Sequence, residues 1–145
     1  MTYFTGPLEV GTAPDTNTVA GKGYGVLAQT VLIDFVAEAA AGSDDVDATL
    51  TLPANAQILA FYTDTLTAWD SVTSAGLTIG SAAGGTQYNT SVDVKSAGRE
   101  APTLTAAQLA AMDDIGTNTT VRIRVAQVGN TTAGQARVTC LYAMK

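Results

Sequence analysis

Histidine is absent from this 145-residue chain, and cysteine occurs once. Histidine is the side chain that most often changes charge near neutral pH, and it is the commonest metal ligand. Its absence excludes a Ser-His-Asp triad, a Cys-His pair and a histidine-based metal site. Cys140 has no partner for an intrachain disulfide, and we expect it to be a small apolar core residue. The sequence therefore predicts no catalytic residue, no cofactor, no metal ligand and no enzymatic activity.

Charged residues are also scarce, at 14% of the chain, and the 7 cations against 13 acids give a net charge of −6. Binding to nucleic acid or to an anionic membrane needs clustered lysine and arginine. We therefore expect neither nucleic acid nor a membrane as a partner. The first residues combine no basic stretch with an apolar run, so we expect no signal peptide and synthesis in a cytoplasm.

The sequence is rich in threonine, alanine and glycine, and its apolar residues alternate with polar ones in short runs. Val46, Ala48, Leu50 and Leu52, for example, are separated by single polar residues. Such runs, bounded by glycine and proline, are typical of strands. The predicted strands are 26–37, 46–52, 58–65, 77–80, 88–94, 120–128 and 135–143. Seven short strands predict a single all-β domain over 26–145, a β-sandwich or jelly roll.

One stretch changes from strand to helix periodicity. Thr105 and Gln108 form the pattern of a capping box, in which two side chains satisfy the first free amides of a helix. Leu109 and Met112 follow at helical spacing, and Gly116 ends the pattern. We expect one short helix inside the β domain.

The first 25 residues predict no regular element, because glycine and proline recur throughout them. They nevertheless contain large apolar residues, which a free tail rarely needs. We therefore expect an extended N-terminal arm over 1–25 that lies on a partner. Its candidate contact residues are Tyr3, Phe4, Leu8, Val10 and Tyr24.

The last two predicted strands are separated by the six residues 129–134, which begin and end with glycine. We interpret 120–128 and 135–143 as a hairpin, with Val128 opposite Gln135. In that register the apolar residues share one face of the hairpin.

The other face of this hairpin would carry Arg122, Arg124 and Arg137, three of the seven cations. They could form a solvated edge whose charges deter strand addition. They could equally form a partner interface, where arginine is enriched. The residues alone leave both interpretations open.

Two further patterns suggest sites but have simpler explanations. Asp44, Asp45 and Asp47 could bind Ca²⁺, yet they lack the spacing of a calcium loop, and a solvated turn is the expected structure. Trp69 beside Asp70 could stack on a sugar, but a tryptophan packed over a sheet edge or a subunit seam is expected.

Several stretches resemble the small capsid decoration, or cement, proteins of tailed phages. They are LTIGSAAGGTQY (77–88), DVKSAGR (93–99), PTLTAAQLAAM (102–112), NTTVR (118–122) and TAGQARVTCLY (132–142), with GVLAQTV (25–31) and LPANAQI (52–58) upstream. The resemblance implies a β-sandwich or jelly-roll subunit, commonly a homotrimer, on the outer surface of the virion. It implies the major capsid protein as a partner, and it transfers no residue with a chemical role. A phage tail component or a receptor- or glycan-binding β-module is the alternative.

Overall fold

The structure is a computed structural model that describes residues 25–35 and 45–144. The predicted arm and its contact residues Tyr3, Phe4, Leu8, Val10 and Tyr24 lie outside the described residues. The described part contains eight strands and one helix. The elements are β1 (Val26–Asp34), β2 (Val46–Thr51), β3 (Ala56–Thr67), β4 (Ser74–Gly80), β5 (Val92–Asp93), β6 (Gly98–Glu100), α1 (Ala106–Asp113), β7 (Thr120–Val128) and β8 (Gln135–Met144).

The strands form two four-stranded sheets, and every pair of neighbours is antiparallel. Sheet A has the order β1-β8-β3-β6, and sheet B has the order β2-β7-β4-β5. The pairs β1 with β8, β2 with β7, β3 with β6 and β4 with β5 give the strand order of a jelly roll. The predicted all-β sandwich with one short helix is confirmed.

The core lies between the two sheets, because one side of each strand is apolar. Val121, Ile123 and Val125 of β7 are fully buried, and Val138 and Cys140 of β8 are buried with them. Their neighbours in sequence point outward, as the period of two requires. Burial of this apolar surface is the main force that holds the two sheets together.

The prediction that 120–128 and 135–143 form a hairpin is wrong. β7 pairs with β2 and β4 in sheet B, whereas β8 pairs with β1 and β3 in sheet A. The connecting residues 129–134 therefore cross from one sheet to the other. The alternation in β7 and β8 specified which side chains are buried but not which strand lies beside each one.

The capping box at the start of α1 is present as predicted. Gln108 N donates to Thr105 Oγ1 at 3.3 Å, and Thr105 N donates to Gln108 Oε1 at 2.9 Å. Gln108 Nε2 also donates to the carbonyl of Thr86 at 2.9 Å, which fastens the helix to the segment that follows Gly84 and Gly85. In the described part of the chain, no helix is long and apolar enough to cross a membrane.

The predicted strand over 88–94 is reduced to Val92–Asp93. Part of its pairing with β4 is made by the side chain of Asn89 instead of by backbone groups. Ile79 N donates to Asn89 Oδ1 at 2.5 Å, and Asn89 Nδ2 donates to the carbonyl of Leu77 at 3.4 Å. The fully buried amide of Asn89 thus pairs with the edge of β4, where a neighbouring strand would otherwise do so.

Candidate interaction surfaces

The outer face of sheet A is apolar along half of its length. The register of β1, β8 and β3 aligns Ala28, Leu141 and Ala60 in one row across the sheet. The row toward the start of β1 contains Val26, Ala143 and Gln57, and Val26 is 60% exposed. A solvated sheet face is normally polar, so this half of the face is a candidate contact surface.

A row of Thr30, Thr139 and Tyr62 separates this apolar region from a charged row. The charged row is formed by Arg137, Asp64 and Arg99 on β8, β3 and β6. Arg99 Nε donates to Asp64 Oδ1 at 2.5 Å, and Arg137 Nη2 donates to Asp64 Oδ2 at 3.0 Å. Hydrogen bonds from Arg99, and then from Arg137, lower the pKa of Asp64 to about 2. The Arg99 guanidinium also lies 6.0 Å from the ring centre of Tyr62. With one carboxylate and two guanidiniums, the cluster carries a net positive charge.

The outer face of sheet B is polar, and its main feature is an ion-pair cluster around Arg124. Arg124 Nε and Nη2 donate to the two oxygens of Asp47 at 2.8 and 2.7 Å, and Nη1 donates to Asp45 Oδ2 at 2.8 Å. The hydrogen bond from Arg124 is the largest cause of the lowered pKa of Asp47. Asp45 and Asp47, the two aspartates of the candidate calcium turn that the structure describes, therefore both bind Arg124.

The three candidate arginines do not share a face, because the hairpin that would have aligned them does not exist. Arg122 and Arg124 project from sheet B, and Arg137 projects from the opposite surface of the sandwich on sheet A. Arg124 and Arg137 are bound by aspartates of the same chain. Arg122 is exposed and forms no hydrogen bond or ion pair with the described residues. The predicted arginine face is therefore replaced by two separate clusters and one exposed cation.

Sequence reasoning missed the apolar half of sheet A, although the signal for it was present. Both faces of the predicted strand 26–37 contain apolar residues, and Leu141 alternates with Cys140 and Tyr142 in strand 135–143. The missing information was the pairing of β1 with β8, which joins the outward residues of the two strands into one surface.

Trp69 is 1% exposed, so its indole is not available to stack on a sugar. The expected packed tryptophan is confirmed. Asp70 beside it accepts hydrogen bonds from Thr132 N at 2.8 Å and Ala133 N at 3.1 Å, and also from the Thr132 hydroxyl. These bonds, led by the one from the hydroxyl, lower the pKa of Asp70. Trp69 and Asp70 therefore hold the connection 129–134 in place.

The described residues contain no group of three or more histidine, cysteine, aspartate or glutamate residues that could hold a metal ion. Cys140 is buried, and burial raises the pKa of its thiol to about 12, which keeps it protonated. A groove of about 440 Å³ lies on sheet B, and its lining includes Gly76, Ala126, Ser91 and Lys95.

Comparison with known proteins gives one structural similarity. No protein-family model matches the sequence, and no curated protein matches it. The fold is similar to that of a solved chain described as "Cyanophage Pam1 capsid asymmetric unit". The TM-score is 0.62 and the identity is 20%, and the match covers 92% of this chain and 95% of that chain. The two chains therefore share a fold over nearly their whole lengths, and they are similar in length.

Proposed function

We propose that this protein is a structural component of a phage particle, and specifically that it binds the outside of the assembled head and stabilises it. The observation that carries the proposal is the similarity to a chain from a capsid asymmetric unit over nearly the full length of both chains. The motif resemblance to capsid decoration proteins supports the finer role.

The proposed mechanism is thermodynamic linkage between binding and shell assembly, and it needs no catalysis. A protein that binds the assembled shell, but not the free shell subunits, shifts the equilibrium toward the shell. A buried thiol and a network of internally paired aspartates suit a role in contact and not in chemistry. The partners are then the major capsid protein and further copies of this chain, with a homotrimer as the expected oligomer.

The outer face of sheet A is the surface that we assign to the shell. Ala28, Ala60 and Leu141 form an apolar row on this face. The cluster of Asp64 with Arg99 and Arg137, two rows away on the same face, offers a net positive charge. Contacts with a desolvated apolar centre and a charged margin are typical of specific protein interfaces. Sheet B, with its polar surface and paired charges, would then face solvent.

A receptor- or glycan-binding module is the alternative, and Trp69 gives it no support. The indole is buried under the connection 129–134 and does not line a surface groove. The alternative would require another aromatic platform.

The test compares two alanine-to-glutamate variants in a sedimentation assay with heads assembled from the shell protein of the same phage. Ala60 lies on the outer face of sheet A, and Ala126 lies on the outer face of sheet B. Burying an unpaired carboxylate is costly, so Ala60→Glu should weaken head binding about tenfold or more. Ala126→Glu should bind like the natural protein.

Three results would count against the proposal. The natural protein could fail to bind heads, which would remove the decoration role. Equal binding by Ala60→Glu and the natural protein, with both folded by circular dichroism, would remove the assignment of sheet A. A stable monomer by light scattering at micromolar concentration would remove the homotrimer.

A further inference from the structure

β1 is a long strand at the edge of sheet A that lacks the usual protection of an edge. It pairs with β8 on one side, and its other side has no strand partner among the described residues. No charge, proline or glycine occurs from Val26 to Ile33. Exposed edges of this kind template pairing with another strand, and most proteins block them with charges, bulges or short strands.

The other edge strands of the sandwich are blocked. β5 and β6 contain only two and three residues. β2 carries Asp47, whose carboxylate is held by Arg124 on the outer face. β1 is therefore the exception among four edge strands.

The backbone direction of β1 follows from one hydrogen bond. Phe35 N donates to the carbonyl of Gly134 at 2.8 Å, which continues the pairing of β1 with β8. Amide and carbonyl groups alternate sides along an antiparallel strand. The odd-numbered residues of β1 therefore bond to β8, and Val26, Ala28, Thr30, Leu32 and Asp34 direct their amides and carbonyls toward the open edge.

This pattern is self-complementary about Thr30. If two copies of β1 pair antiparallel with Thr30 opposite Thr30, Ala28 lies opposite Leu32 of the second copy, and Val26 lies opposite Asp34. All the facing residues then direct their amides and carbonyls at the second copy. The two Asp34 carboxylates lie at opposite ends, so the pairing brings no like charges together, although each copy carries a net charge of −6.

Side-chain exposure supports the same arrangement. Leu27 points toward the interior side of sheet A but is 47% exposed, because nothing in the described part of the chain lies beyond the edge at that point. In the Thr30-centred pairing, Leu27 lies opposite Ile33 of the second copy and is covered. Leu32, also 47% exposed, lies beside Ala28 of the second copy on the outer face.

We propose that β1 is a strand-addition edge that pairs antiparallel with β1 of a second copy, joining two sheets A into one eight-stranded sheet. The contact is isologous, with its two-fold axis perpendicular to the sheet. The outer faces of both sheets then point the same way. On a head, which rests on the function proposed above, this contact would link neighbouring subunits while each keeps sheet A against the shell.

The expected strength is low in free solution. One pair of strands buries less than the area of a standard stable interface. Subunits already held on a shell meet at high effective concentration, so a weak contact suffices there. A covalent trap is therefore a better probe than equilibrium mass measurement.

The trap is Thr30→Cys in the full chain, under mild oxidation at high micromolar concentration. In a hydrogen-bonded antiparallel pair the two Cα atoms are about 5.5 Å apart, which a disulfide can span. Thr49→Cys is the matched control, because Thr49 is also exposed and is placed by the same alternation at the open edge of β2. The natural protein, whose thiol is buried, measures the background.

We expect a disulfide-linked dimer on a denaturing gel for Thr30→Cys, formed at least several times faster than for Thr49→Cys. Adding Leu32→Pro should suppress it, because proline removes an amide directed at the second copy but none bonded to β8. Thermal unfolding of the double variant establishes that the domain remains folded.

Two outcomes would overturn the proposal. Equal cross-linking of Thr30→Cys and Thr49→Cys would show that β1 has no preference for itself. Protection of Thr30→Cys by a synthetic peptide of residues 1–24 would identify the chain's own N-terminal segment as the occupant. Neither result bears on head binding, so the Ala60→Glu assay separates failure of this contact from failure of the proposed function.

Discussion

Gly134 lies so close to the indole of Trp69 that a Cβ atom at position 134 would come within 3.0 Å of three ring atoms. Trp69 is almost completely buried at this point, where the connection 129–134 enters β8. The absence of a side chain at Gly134 is therefore what lets the chain cross from sheet B to sheet A over the tryptophan. A single methyl group added at position 134 would therefore clash with the indole.

Gly134→Ala should lower the free energy of unfolding by about 1–3 kcal/mol, the usual cost of overpacking a filled site. The measurement is the urea midpoint. Gly25→Ala is the control, since a Cβ there would meet no atom within 4 Å. An unchanged midpoint for Gly134→Ala would mean that the indole moves aside without cost.

Asp64→Asn should destabilise the domain at neutral pH and lose that effect in acid. The pKa of Asp64 is about 2 in the folded chain and about 4 in an unfolded one. The unfolded chain therefore binds more protons between these values, and the stability due to the carboxylate disappears as the pH falls from about 4 through 2. Urea unfolding of both proteins at pH 7 and at pH 2 measures the difference. Glu100→Gln is the control, because it removes one negative charge from an exposed residue on the neighbouring strand.

Arg124→Gln and Arg122→Gln should differ although the two residues project from the same face. Loss of Arg124 leaves Asp45 and Asp47 without their shared cation, and we expect a cost of about 1 kcal/mol for this partly exposed cluster. Arg122 forms no such ion pair with the described residues, and its replacement should cost less than about 0.5 kcal/mol. The difference in unfolding free energy between the two variants should become smaller in high salt, because salt screens the ion pairs of Arg124. Equal midpoints at low salt would show that the Arg124 cluster does not stabilise the fold.

Treatment with a chelator should leave the melting temperature unchanged. Asp45 and Asp47, the described aspartates of the candidate calcium turn, direct their carboxylates at Arg124. Differential scanning calorimetry with and without chelator checks this expectation. A drop of several degrees, about 1 kcal/mol or more for a domain of this size, would show that a cation stabilises the chain.

Part of the candidate surface could be anticipated from sequence, and part could not. The alternation of strands 120–128 and 135–143 correctly placed Arg122, Arg124 and Arg137 on the outward sides of their strands. Arg122, Arg124 and Arg137 were grouped wrongly, because their grouping depended on a hairpin between strands that belong to different sheets. Positions on one face of a strand follow from a period of two, but positions on one face of the molecule depend on which strands are neighbours.

The sequence by itself determined the class of the fold, most of its strands and the start of its helix. Alternation marked Val121, Ile123 and Val125 as core residues, and the Thr105–Gln108 pair marked the helix start, because both signals are local. Only the tertiary structure decided the pairing. β1 joins β8 across more than a hundred residues, and the connection 129–134 crosses between sheets because Asp70 and Trp69 hold it there. These contacts join residues far apart in the chain, so no local pattern encodes them.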